Sequence, residues 1–83
     1  MIYPTIHMGG TARETLERDY LAALDAVRDA VVALKITAPH ARDYPNYPIE
    51  EFTAKNEHIV RVCHLVAVEA ELELLLDHII NME

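Results

Sequence analysis

Apolar side chains recur at steps of four and three along the first half of the chain, at Leu16, Tyr20, Leu24, Val27, Val31 and Leu34. That spacing marks one face of an α-helix. Ala22, Ala23, Ala26, Ala30 and Ala33 flank the stripe, where they raise helix propensity and permit close approach of another helix. Thr11 suits the N-cap, and Glu14 follows at the spacing of a capping box. The pattern predicts a helix from about residue 12 to about residue 37.

A second helix is predicted from about residue 49 to about residue 81. Leu65, Val68, Leu72, Leu75 and Ile79 form one stripe on it, and Ile59, Val62, Cys63, Val66, Ala70 and Leu74 form another beside it. Glu69, Glu73 and Asp77, at steps of four, read as a solvated acidic face. Pro48 suits the first turn, and Glu50 and Glu51 suit the positive end of the helix dipole; Thr53 or Asn56 would cap a later start. Between the helices, residues 38–48 (APHARDYPNYP) hold three of the four prolines and no helical period, which predicts a loop. Residues 1–10 read as an arm, since Tyr3 precedes Pro4 and is pushed out of the α region. Ile2, Tyr3 and Ile6 are its expected apolar anchors on a neighbouring helix.

The expected fold is all-α. One domain, residues 1–83, holds an N-terminal arm and two long helices in an antiparallel hairpin. Two apolar stripes on one helix exceed what a single partner helix covers. A helical-bundle homo-oligomer follows, most simply four helices from two chains.

Composition strengthens that expectation. At 83 residues the chain is marginal as a lone domain, yet 52% of it is apolar. Cys63 is the only cysteine, so no disulfide closes within the chain, and it is expected to be a small core residue. The formal charge of -7 argues against duplex nucleic acid as a partner. It leaves room for a small anion held by a few placed arginines. No signal-peptide pattern and no apolar run of about 18 residues is present, so a soluble, cytoplasmic protein without a membrane partner is expected.

The histidines are His7, His40, His58, His64 and His78. His64, Glu71 and His78 are seven apart, about 10 Å along a helix, and cannot share one ion. The histidines therefore read as surface or interface residues, with no metal site. No phosphate-binding loop, zinc-protease helix or nucleophile elbow is present, and a non-enzymatic protein without a cofactor is expected.

Two segments have chemistry beyond scaffold. In the first, His7, Gly9, Gly10, Thr11 and Arg13 lead into a helix N-terminus, where free N–H groups attract anions and glycines let a backbone come close. In the second, Arg42 offers a planar fork, Tyr44 and Tyr47 offer stacking faces and hydroxyls, and Asp43 and Asn46 offer polar edges. Each also has an ordinary reading, as a capped arm and as a rigid tyrosine-packed loop. A helix of about 26 residues is about 39 Å long, so the two segments cannot form one site within a chain. An antiparallel second subunit would bring the loop of one chain to the arm of the other.

Ile6-His7-Met8-Gly9-Gly10-Thr11 and Ala38-Pro39-His40-Ala41-Arg42-Asp43-Tyr44 resemble stretches of small helical bacteriophage proteins. Those open with Ile-His-x-x-Gly-Thr and carry an Ala-Pro-x-x-Arg-Asp-Tyr loop before a second helix. They more often have Asn at the position of Gly9 and Asn-Gly at His40-Ala41. The resemblance implies a compact inhibitor of host defence, by analogy of fold and context. On that reading the chain sequesters a nucleotide-like second messenger, such as a cyclic nucleotide or an ADP-ribose derivative, in pockets between subunits. The alternatives are an acidic inhibitor or adaptor docking on a host protein, and a structural assembly component.

Overall fold

A computed structural model describes residues 1–5, 10–46 and 48–82. The chain folds into two long helices, α1 (Arg13–Ile36) and α2 (Ile49–Ile80), joined through a short 3-10 turn at Ala41–Asp43. The helices pack on each other as a hairpin, and no strand occurs among the described residues. The start of α1 departs from the expected capping box. Ala12, not Thr11, is the N-cap, and its carbonyl accepts the amides of Thr15 and Leu16. Ala12 is extended and has no side-chain oxygen, so the helix begins without a side-chain cap. Glu14 accordingly sits in the first turn as a dipole partner.

α1 ends where the sequence stops it. Thr37 donates its amide and its hydroxyl to the Leu34 carbonyl, the hydroxyl at 2.7 Å, and Pro39 then bars continuation. Asn46 opens α2: its side chain donates to Glu50 at 2.6 Å, while its carbonyl accepts the Glu50 amide. Pro48 is the N-cap residue, and its carbonyl accepts the Phe52 amide.

The expected stripe of α1 faces the partner helix, with Leu24 and Val31 buried and Leu16, Tyr20, Val27 and Leu34 half-buried. On α2 the inward face runs through Glu51, Ala54, His58, Val62, Leu65, Glu69, Leu72, Leu76 and Ile79. Three expectations fail here. Val68 is exposed rather than packed, Val62 lies on the inward face rather than on the second stripe, and Glu69, expected on a solvated face, lies inward beside them. The reason lies across the seam: Arg28 of α1 hydrogen-bonds Glu69 at 3.4 Å and Glu73 at 2.8 Å, so this part of the acidic row ties the hairpin. Cys63 is exposed, and so are Phe52, Ile59, Val66, Ala70 and Leu74, which share its side of the helix.

The molecule measures 60 × 20 × 18 Å. Its Cα radius of gyration is 18.3 Å, against about 12 Å for a compact domain of this length. Among the described residues, no helix is long and apolar enough to cross a membrane. The buried apolar side chains are Leu24, Val31, Leu76 and Ile79, with Ile79 fully enclosed. Ile79→Ala is expected to lower unfolding free energy by about 2–5 kcal/mol in urea titrations, because the cavity sits in the tightest part of the seam. Val60→Ala, on the exposed surface, is expected to stay within about 0.5 kcal/mol.

Candidate functional site

The two ends of the rod differ. At the arm end, Tyr3 lies against His78 with ring centroids 4.7 Å apart. The Nε2–H of His78 donates to the Pro4 carbonyl at 3.1 Å, since a carbonyl can only accept. Arg13 reaches across from the start of α1 and donates to the Met82 carbonyl at 2.8 Å. Asn81 folds back to the Asp77 carbonyl at 2.8 Å. Tyr3, Asp77, His78 and Asn81 border a cleft of about 330 Å³ here. The end is well tied, and its polar groups largely bond one another. The arm anchors itself through Tyr3 and Pro4. Ile2, expected as an anchor, is 92% exposed, because the contact is made by an aromatic ring and a carbonyl rather than by aliphatic packing.

The middle of the seam is electrostatic. Hydrogen bonding to Glu73 is the leading cause that raises the pKa of Arg28, with Glu69 adding to it. The guanidinium is solvent-exposed, so screening weakens the tie in salt.

The loop end carries unspent chemistry. A cleft of about 290 Å³ opens between the end of α1, the loop and the first turns of α2. Its polar border is Thr37, Tyr44, Glu57, His58 and Arg61, over an apolar base from Pro39 and Ala54. His58 was expected at the surface or at an interface, and it is 8% exposed within the single chain. The helical period explains this burial, since residue 58 lies on the same face as residues 51, 54, 62 and 65. Its Nδ1 is buried with no hydrogen-bond partner among the described residues. Glu51, the other buried ionisable group on this face, pairs with Lys55 at 2.8 Å. A longer open groove of about 450 Å³, bordered by Asn56, Val60 and His64, runs on along α2 and shares Glu57 and Arg61 with the cleft.

The residues singled out in the sequence fall into three groups. His7, Gly9 and Tyr47, together with the Ile6 anchor, lie outside the described residues. Gly10 and Thr11 are exposed at the arm end, where Arg13 already holds the Met82 carbonyl. Arg42 and Asp43 are exposed at the loop end; the Arg42 amide donates to the His40 Nδ1 at 3.4 Å. Tyr44 is half-buried and borders the loop-end cleft, and Asn46 is committed to Glu50. The structure thus brings Tyr44 together with Glu57, His58 and Arg61, which the sequence had not linked to it. It keeps Arg13 and Arg42 at opposite ends. Among the described residues, no three His, Cys, Asp or Glu side chains cluster as a metal ion would need.

Comparison with family models, with curated proteins and with solved structures finds no match to the chain.

The arm-end geometry has a direct consequence. His78→Ala removes both the ring contact with Tyr3 and the hydrogen bond to Pro4. A net hydrogen bond of about 1 kcal/mol corresponds to about fivefold easier release of the arm. Limited proteolysis with the cut site mapped by mass spectrometry is expected to show that acceleration within residues 1–5, and no change within the helices.

Proposed function

We propose that the chain is a non-enzymatic binding protein, assembled as a helical-bundle homo-oligomer, that sequesters a small anionic nucleotide-like ligand in pockets between subunits. The observation that carries this reading is the uncovered stripe on α2. Phe52, Ile59, Cys63, Val66, Ala70 and Leu74 share one exposed side of the helix, with Phe52 69% exposed and Ile59 57% exposed. The accessible surface is 6179 Å², where a compact monomer of this mass exposes about 5,000 Å². The surplus, about 1,200 Å², is more than the roughly 800 Å² that one partner buries in a standard interface. A second copy supplies the missing cover. An antiparallel second copy also supplies what one chain lacks, by setting the arm and Arg13 of one subunit beside Arg42 and Tyr44 of another.

Arg42 is the anion contact in this reading because it is exposed and uncommitted to any acid among the described residues. Arg13 contributes only if it leaves the Met82 carbonyl. The resemblance to small phage proteins supports a defence messenger as the ligand and the host cytoplasm as the place. Sequestration requires affinity without turnover, so plain helical scaffold suffices.

The exposed stripe also favours a second reading, in which it docks on a host protein and the chain stays monomeric until it does. Native mass spectrometry separates the two. The proposed function expects a homo-oligomer, dispersed to monomers by Ile59→Glu combined with Val66→Glu. Calorimetry with cyclic dinucleotides, cyclic trinucleotides and ADP-ribose derivatives is expected to give heat with at least one, weakened about tenfold or more by Arg42→Ala. A folded sample that binds none of them overturns the ligand; a strictly monomeric one overturns the assembly.

A further inference from the structure

We infer that the loop-end cleft is a small-molecule site, complete within one chain, for a compact anion that also carries hydroxyl or amine donors. The first ground is His58. A polar ring on an otherwise packed helical face, 8% exposed and with Nδ1 unpaired among the described residues, is costly where leucine would continue the seam. The second ground is the cleft itself. At about 290 Å³ it exceeds the share of a single water in the liquid about tenfold, and it matches the lower range of small-ligand pockets. His58 is one of its walls.

The remaining walls define the ligand chemistry. Arg61 is exposed at the border and makes no ion pair with a described residue, so its planar fork is open to a carboxylate or phosphate. Glu57 stands one helical turn before it and accepts hydrogen bonds only. Thr37 has committed its hydroxyl proton to the Leu34 carbonyl, so its oxygen also presents a lone pair. Tyr44 adds a hydroxyl that can donate or accept, so the border offers one cation, two acceptors and one hydroxyl, which disfavours a polyanion. It fits a single anionic group on a body bearing O–H or N–H donors. The Nδ1 of His58 is enclosed and meets a ligand only if the ring turns toward the cleft; it then takes either role, by choice of tautomer. A zwitterionic amino acid and a sugar monophosphate both present this chemistry.

The test is a titration of the full-length, 15N-labelled chain, followed at the histidine ring nitrogens and the Arg61 Nε–H. L-serine is the probe in one arm and ribose 5-phosphate in the other. A saturable movement of the His58 ring in one arm, with His78 at the far end unmoved, is the expected result and identifies the source. Arg61→Gln is expected to weaken that binding about tenfold. His58→Leu is expected to abolish it while raising the melting temperature, and His58→Asn, with a polar atom near the place of Nδ1, to restore part of it. A His58 ring that moves in neither arm overturns the site, as does affinity unchanged in Arg61→Gln. Should His58→Leu fail to fold, the surface variant Arg61→Gln decides alone. The cleft needs no second subunit, so the absence of nucleotide binding or of an oligomer leaves this result standing.

Discussion

Two helices packed side by side can each bury only one stripe, and that limit leaves one face of this chain uncovered. α1 has one apolar face and uses it. α2 has two, and α1 can cover only one of them. The choice between them is not made by hydrophobicity alone. The outer stripe of Phe52, Ile59, Val66 and Leu74 is at least as apolar as the inner face, which includes Glu51, His58 and Glu69. Arg28 accords with the register adopted, in which Glu69 and Glu73 of α2 lie within reach of its guanidinium. Each exposed pair is weak in isolation, but a bifurcated tie at mid-helix favours this rotation. Hydrophobic burial then fixes the arm end, where Leu72, Leu76 and Ile79 meet α1.

The seam therefore changes character along its length. From Leu72 to Ile79 it is an apolar contact. At Glu69 it is an ion pair, and from His58 back to Glu51 it is a partly polar wall beside the loop. Such a gradient gives unequal local stability, since free energy of opening tracks buried apolar contact. The arm end gains further ties from Arg13 and His78. The loop end relies on the Thr37 stop, the Asn46–Glu50 contact and the Glu51–Lys55 pair.

Periodicity made much of this legible. The stripe of α1 and the presence of two long helices could be read directly, because one clean apolar face on an alanine-rich helix has one interpretation. Proline made the loop equally plain. The face of α2 was not readable by the same rule. A count of apolar residues places Val68 inward and Glu69 outward, and the Arg28 contact that reverses them is set by tertiary geometry. Cys63 was misplaced for a related reason: it belongs to an apolar stripe, but to the one the hairpin leaves uncovered. The N-cap failed because a capping box describes which residues can cap, while the chain's path into α1 put Ala12 in the extended position. The candidate anion residues were recognisable by type. Their separation to opposite ends followed from helix length, whereas the grouping of Tyr44 with His58 and Arg61 required the loop to be folded back over α2.

The division of the rod also orders the functional readings. Binding energy has to come from groups not already satisfied within the fold. At the arm end the donors of Arg13, His78 and Asn81 each hold a main-chain carbonyl, so a ligand there must displace an existing bond before it gains one. At the loop end Arg42 and Arg61 have no acid partner among the described residues, and the Nδ1 of His58 lacks any partner among them. Positive charge is scarce in this acidic chain, with seven basic residues against 14 acidic ones, so two uncommitted arginines at one end are a strong local departure. Oligomer formation along the outer stripe of α2 is compatible with this, since the stripe and the cleft are bordered by different residues of the same helix. The outer stripe and the loop-end cleft thus lie on separate faces of α2 while depending on the same seam to hold that helix in place.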